Sequence, residues 1–445
     1  MASAASTIRN VIYIHTHDMG RYISPYGHAV STPHLQAFAE RSTLFRQAYC
    51  CGPTCSPSRA GLLTGMTPHE TGMLGLAHRG FTFSRPELHL AAYLKAKGFL
   101  TALCGMQHEF NSAWDQMPYE ESHFKHDGPA GVDYDLDATK SAIEFLSCQQ
   151  DRPYFLSYGL FYPHRPFLTA DYNVFRPDYM RPPAPLPDTP EIRRDMADYA
   201  YTVNRADDCI GQVLETIYRY GHDRNSLIIM TTDHGIAFPG MKCNLTDHGI
   251  GVTLMMAAPG NQTAGAAVDA LVSHLDIYPT ICDLLGLAAP DHLQGSSLRP
   301  LLEGTTESIR DEVFSEVTFH AAYEPMRCVR TKRHKLIFRY ELDQRPLANC
   351  DGSLSKDELL RFDWGSQILP QVELYDLMLD PSEACNRAAD PVYADVRQDL
   401  ERRLLDWMKR TSDPLLDGHV EQPVGTMVNV FESLDPEEGP FLRRM

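Results

Sequence analysis

The chain has 445 residues, of which 43% are hydrophobic and 22% charged, so it can bury a large core and is not disordered. Its formal net charge of -18 at pH 7 argues against a general binder of nucleic acids or anionic membranes, because such proteins usually present a basic surface. The sequence shows no signal-peptide pattern, no membrane-spanning window and no disulfide-like spacing among its eleven cysteines, so we expect a cytoplasmic protein with reduced thiols.

Short β-branched or aromatic runs alternate with helical patterns over the first part of the chain. The runs predict strands over residues 10–14, 99–104, 154–159 and 227–232, and the helical patterns predict crossover helices over residues 88–97 and 199–220. This alternation is typical of an α/β fold, in which a largely parallel sheet is covered by helices.

After about residue 304 the pattern changes. Residues 311–318 and 326–340 are predicted strands, residues 392–411 a long amphipathic helix, and residues 413–445 have little periodicity. We therefore predict a larger domain over residues 1–310 and a smaller C-terminal α+β subdomain over residues 311–445, consisting of a small antiparallel sheet, the long helix and a tail. We expect the tail to lie either on a neighbouring subunit or over the active site, and we expect a homo-oligomer.

Polar residues cluster directly after two of the predicted strands. His17 and Asp18 follow the first strand, and Asp233 and His234 follow the strand over residues 227–232. Open α/β sheets place their ligand sites at the carboxyl ends of strands, so these side chains could share a divalent cation. Taken alone, Asp233-His234-Gly235 is as compatible with an ordinary turn that caps a helix as with a metal site. Together with His17 and Asp18 it predicts a metal site.

Residues 55–65 read CSPSRAGLLTG, a cysteine followed by a short apolar helix. Ser56 and Pro57 suit the N-cap and first turn of that helix, whose free N–H groups and dipole would favour an anion beside Cys55. A lone cysteine in such a place is more often a buried free thiol.

The Cys-x-Pro-x-Arg pattern of Cys55, Pro57 and Arg59, followed by Leu-Leu-Thr-Gly, resembles the signature of the type I sulfatases. The resemblance covers nearly the whole chain, and the continuation over residues 72–76 looks similar to the N-sulfoglucosamine sulfohydrolase branch. It implies an alkaline-phosphatase-like fold with a catalytic sulfatase domain over residues 1–310. It also implies that a formylglycine-generating enzyme converts Cys55 to formylglycine, and that the substrate is a small anionic sulfate ester or sulfamate, including sulfated carbohydrates.

The resemblance further implies a ligand set for one divalent metal ion. The matching positions are Asp18, Cys55, Asp233 and His234, with His17 where the family has its first aspartate. The family usually binds Ca²⁺, which prefers oxygen ligands, whereas an imidazole favours Mn²⁺ or Zn²⁺. The departure at His17 therefore makes a transition metal a second expectation beside calcium.

Catalytic roles follow from the same resemblance. They fall on Cys55 as nucleophile, on Arg59 and Lys242 as cations for the sulfate oxygens, on His164 as the acid that protonates the leaving group, and on His108 as the base for the second hydroxyl of the hydrated formylglycine. The family also has a lysine where this chain has Met106. His78 and Arg79 are candidates to replace that cation in substrate binding, and an exposed basic turn is an equally good interpretation of the pair.

Two alternatives remain open from the sequence. A phosphonate monoester or phosphodiester hydrolase would use the same nucleophile and metal. A non-catalytic binding homologue would keep the fold, with His17 and Met106 as signs of decay.

Overall fold

The protein is described here by a computed structural model over residues 8–111, 117–123, 132–341 and 343–444. Its strands are β1 (Asn10–Thr16), β2 (Thr43–Tyr49), β3 (Leu100–Gly105), β4 (Glu121–Ser122), β5 (Tyr154–Gly159), β6 (Ser226–Thr232), β7 (Leu254–Ala257), β8 (Ala267–Ser273), β9 (Glu312–Phe319), β10 (Tyr323–Thr331), β11 (His334–Arg339), β12 (Val372–Asp376), β13 (Met427–Asn429) and β14 (Phe441–Arg443). Its α-helices are α1 (Pro33–Ala39), α2 (Cys55–Thr64), α3 (Pro68–Thr71), α4 (Leu90–Ala96), α5 (Val132–Ser147), α6 (Pro190–Tyr220), α7 (Asp247–Ile250), α8 (Ile277–Leu285), α9 (Arg299–Leu302), α10 (Leu354–Leu360) and α11 (Ala394–Arg410).

An eight-stranded sheet in the order β4-β3-β5-β1-β6-β7-β2-β8 organises the larger part of the molecule. Its neighbouring strands are parallel, except that β7 runs antiparallel to both β6 and β2. The central strand β1 is buried along its whole length because helices cover both faces of the sheet. Ile12 and Ile14 pack with α5 and α6 on one face, and Val11 and Tyr13 pack with α2, α4 and α8 on the other. The predicted α/β fold is confirmed.

Two predicted elements differ from the structure. Helix α6 begins at Pro190, nine residues before the predicted start, because Thr189 caps it by accepting a hydrogen bond from the Ile192 N–H and Pro190 suits the first helical position. The single strand predicted over residues 326–340 is wrong. It is the hairpin β10–β11, and the two polar residues Lys332 and Arg333 form its turn.

The C-terminal part has its own antiparallel sheet, in the order β12-β11-β10-β9, with α11 packed on β10 and β11. A buried ion network joins this sheet to the segment that follows α11, since the guanidinium of Arg327 contacts both Asp413 and Glu316. The predicted smaller α+β subdomain is therefore present, and the boundary at residue 310 stays a prediction. Within the described ranges, no helix is both long and apolar enough to cross a membrane.

Candidate active site

The ends of β1 and β6 bring two pairs of polar residues together. The strands are parallel neighbours in which Thr16 is paired with Thr232, so the residues that follow them leave the sheet side by side. The Asp18 N–H donates to Oδ1 of Asp233 over 2.9 Å, and Asp18 itself adopts a left-handed φ of 46°. A non-glycine residue in this region of φ is costly and persists only where its surroundings hold it, as this hydrogen bond does.

Four donor atoms converge in this loop cluster as a metal site requires. One ligand atom each from Asp18, Cys55, Asp233 and His234 lies within 4.8 Å of the others, and all four residues are buried. The His234 Nδ1–H donates to the Gly235 carbonyl over 2.9 Å, which leaves the Nε2 lone pair facing Asp18 Oδ1 at 3.2 Å. Oδ1 of Asp18 has no hydrogen-bond partner among the described residues. The residues therefore fit a divalent cation.

His17 lies at the edge of this donor set. Its Nδ1 is 3.0 Å from Oδ2 of Asp233, but neither ring nitrogen has a partner of hydrogen-bonding geometry in the described part of the chain. Burial first, and the Arg59 charge second, lower the pKa of His17 to about 4, so the ring is neutral. A neutral imidazole is the form that binds a metal.

Helix α2 carries Cys55 and differs in one respect from the sequence prediction. The helix begins at Cys55 after Thr54, so Ser56 is not its N-cap. The Ser56 hydroxyl instead donates to the His108 carbonyl over 2.6 Å and accepts from the Ala77 N–H over 2.9 Å. The cysteine lies in the first turn, where free backbone N–H groups favour an anion, and its Sγ is 3.4 Å from Nε2 of His234.

Arg59 is buried behind the donor set and is held by a residue that the sequence analysis did not single out. Its Nη2 contacts Oδ2 of Asp233 at 3.1 Å, and its Nη1 donates to Nδ1 of His15 over 2.6 Å. The other nitrogen of His15 lies 3.1 Å from the Ser157 hydroxyl. The only sequence signal for His15 is an imidazole that directly follows the run Val-Ile-Tyr-Ile within the buried strand β1.

The other predicted histidines line one side of the cluster. The ring centroids of His108 and His164 lie 5.5 Å and 5.3 Å from that of His17. Nδ1 of His78 lies 2.9 Å from Nε2 of His108. Burial is the main cause that lowers the pKa of His108 well below its usual value and that of His78 to about 4. The structure thus brings His78 to the predicted site.

Arg79 does not join this cluster. Its guanidinium donates to the Asn429 side chain over 2.7 Å and to the Pro436 carbonyl, both in the C-terminal segment. The sequence prediction that Arg79 binds substrate is therefore not supported by its contacts, because its charge is used to hold the segment that follows α11.

Lys242 completes the cluster from the loop after β6. Its Nζ lies 3.0 Å from Oδ2 of Asp18, 3.4 Å from Nε2 of His164 and 3.0 Å from Oδ2 of Asp351. Burial alone would lower the pKa of Lys242, but the Asp18 and Asp351 carboxylates raise it well above its usual value. Asp351 belongs to the C-terminal subdomain and was missed by the sequence analysis.

Comparison with known families gives two matches along the chain. A family model described as sulfatase matches residues 9–287, and a model described as the C-terminal part of N-sulphoglucosamine sulphohydrolase matches residues 241–351. Human N-sulphoglucosamine sulphohydrolase is 30% identical over 472 residues, which cover 93% of each chain. The resemblance to this branch that the sequence indicated is confirmed.

Solved structures share the fold. A protein in complex with its substrate D-glucosamine-2-N,6-O-disulfate superimposes with a TM-score of 0.76 at 20% identity, covering 93% of this chain and 100% of that one. The phosphonate monoester hydrolase of Agrobacterium radiobacter superimposes with a TM-score of 0.71 at 22% identity, covering 92% of this chain and 97% of that one. At these identities the likeness shows the fold alone.

Proposed function

The chain belongs to the sulfatase family, whose members hydrolyse sulfate esters, and we propose that its nucleophile is formylglycine derived from Cys55 beside one divalent metal ion. The observation that carries the proposal is the convergence of Asp18, Cys55, Asp233 and His234 at the start of α2. These residues would hold the ion, with His17 as a ligand or directly behind one. When bound, the ion would act as a Lewis acid on a sulfate oxygen, and the matured residue 55 would supply a hydroxyl nucleophile.

The remaining residues of the cluster would have different roles around the sulfate group. Arg59 and Lys242 present positive charge in a buried place, where it stabilises developing negative charge more strongly than it would in water. The Nδ1–H of His164 donates to the Arg165 carbonyl over 2.5 Å, which aims Nε2 at the cluster, where it can give a proton to the departing atom. His108, whose Nδ1 has no partner among the described residues, is our candidate for the base at residue 55.

Maturation must take place before the chain is fully folded. The Cys55 side chain is buried and its residue is 1% exposed, so an enzyme could not reach it in the native structure. We infer that a formylglycine-generating enzyme acts on the unfolded chain. The cytoplasmic location and the homo-oligomeric state stay predictions.

The proposed substrate is a small sulfated carbohydrate, such as an N-sulfated or O-sulfated hexosamine. Support comes from the similarity to human N-sulphoglucosamine sulphohydrolase, which extends to the C-terminal part of the chain. The test is to measure kcat/KM of the matured enzyme on N-sulfoglucosamine, on nitrophenyl sulfate and on a nitrophenyl phosphonate monoester. We expect both sulfated compounds to be hydrolysed in preference to the phosphonate.

A phosphonate monoester hydrolase is the weaker alternative, because the phosphonate monoester hydrolase of Agrobacterium radiobacter shares this fold. A higher kcat/KM on the phosphonate than on either sulfated compound would favour it. Hydrolysis of none of the three by fully matured, metal-loaded protein would instead favour the non-catalytic homologue.

Metal content tests the proposed ligand set without using activity. We expect about one divalent ion per chain, as a mononuclear site requires, with Mn²⁺ or Zn²⁺ retained in competition with Ca²⁺. His17→Asp replaces an imidazole by a carboxylate and should shift retention toward Ca²⁺, measured by elemental analysis after dialysis against an equimolar mixture. The matched control is His123→Asp at an exposed position, which should leave the preference unchanged. An unchanged preference in His17→Asp would place His17 outside the ligands.

A further inference from the structure

Asp351 gives the C-terminal subdomain a direct contact with the catalytic cluster. It lies in the loop before α10, and its Oδ2 is 3.0 Å from Nζ of Lys242. The same ammonium contacts Asp18 and His164. An ammonium has three N–H donors, and the Asp351 carboxylate accepts a hydrogen bond from one of those of Lys242.

The loop that carries Asp351 is held on both sides. The buried ammonium of Lys356 donates to the carbonyl of Leu347 over 2.9 Å and to that of Cys350 over 2.5 Å. On the other side, the Ser355 hydroxyl donates to Asp195, which also forms a two-point ion pair with the guanidinium of Arg165. Because Arg165 follows His164 in the chain, one anchor serves both the loop and the proposed acid.

The consequence concerns the charge of the cluster. Its fixed cations are Arg59 and Lys242, and its carboxylates are Asp18, Asp233 and Asp351. These two cations and three carboxylates sum to a charge of -1, and without Asp351 they would sum to 0. The site is therefore one charge unit more positive without Asp351, whether or not it holds a divalent ion.

The possible substrates differ in charge. A sulfate monoester carries one negative charge near neutral pH, whereas a phosphate monoester carries nearly two, because its second pKa is about 6. The Asp351 carboxylate therefore repels a phosphate monoester more strongly than a sulfate monoester. A phosphonate monoester carries one charge and is not rejected on this ground.

We propose that Asp351 sets the charge selectivity of the site, so that monoanionic esters bind and dianionic phosphate monoesters are disfavoured. The proposal rests on the proposed function, since it requires the transferred group to bind beside Lys242. Asp351 acts through Lys242 and through the field at the site, and is thus a positioning residue rather than a catalytic one.

Calorimetry with phenyl sulfate and phenyl phosphate at pH 8 tests the proposal by binding alone. The protein is the full chain with unconverted Cys55, saturated with Mn²⁺. Asp351→Asn keeps the shape of the side chain and removes its charge, and we expect it to strengthen phenyl phosphate binding about ten-fold relative to phenyl sulfate, because one carboxylate no longer repels the extra charge. Asp351→Ser is the second neutral variant, in case the amide perturbs the loop.

Two controls separate charge from structure. Asp351→Glu restores the charge and should return the ratio of the two dissociation constants toward that of the unsubstituted protein. Asp357→Asn makes the same charge change at an exposed position on α10 and should leave the ratio unchanged. Unchanged ratios in both neutral variants, with phenyl sulfate still bound, would overturn the charge selectivity alone. Failure of the unsubstituted protein to bind phenyl sulfate would count against the proposed function itself.

Discussion

Cys55→Ala is expected to abolish turnover while leaving the fold intact. The substitution removes the atom from which formylglycine is made, and the loss of an essential nucleophile lowers kcat by about 10⁴-fold or more. The measurement is kcat on nitrophenyl sulfate for the matured enzyme and the variant, with far-ultraviolet circular dichroism and thermal melting to confirm that both are folded. Mass spectrometry of the peptide that contains residue 55 reports the fraction converted in the unsubstituted protein.

The matched control is Cys209→Ala. Cys209 is also buried, at 2% exposure, but it lies on α6 away from the donor set. A cysteine-to-alanine change there leaves a similar small cavity and should keep turnover within a few-fold of the unsubstituted enzyme, which isolates the chemical role of Cys55. Turnover by Cys55→Ala near the level of Cys209→Ala would rule out the formylglycine nucleophile.

The donor set could be predicted from the sequence because topology alone brings its members together. His17 and Asp18 follow one buried strand and Asp233 follows another, and parallel strands that lie side by side end at one edge of the sheet. Cys55 could be added only through the family resemblance. It lies at the start of α2, and nothing in the hydrophobic pattern of the sequence predicts that this helix begins beside that edge of the sheet.

Other parts of the site depend on packing that has no sequence pattern. Asp351 is 109 residues from Lys242, and its position depends on the carbonyls that hold Lys356 and on the anchor at Asp195. Arg79 is the reverse case, a residue that the sequence assigned to the site and that lies outside it. Its sequence neighbour His78 reaches the cluster, whereas the partners of Arg79 lie in the C-terminal segment. Neighbouring residues of a tight turn can face different parts of a protein, and only the tertiary structure decides which.

His164→Ala is expected to lower turnover by a factor that depends on the leaving group of the substrate. Nitrophenolate departs without a proton, whereas the oxygen or nitrogen of a sugar needs one, so the loss of a general acid costs about 10²–10⁴-fold mainly on the sugar substrate. The Nε2 of His164 lies at the cluster, 4.0 Å from Oδ2 of Asp18, where a proton donor would meet the departing atom. The measurement is kcat/KM for N-sulfoglucosamine and for nitrophenyl sulfate.

Lys242→Ala serves as the comparison, because its charge acts on the transferred group that both substrates share. Removing it should lower kcat/KM on both by a similar factor, on the order of 10²-fold, as expected for the loss of one donor to the developing charge. The two variants together form a pattern that a general loss of structure cannot produce: unequal losses for His164→Ala and equal losses for Lys242→Ala. Equal losses for His164→Ala on both leaving groups would exclude the acid role and leave His164 as a residue that binds the sulfate group.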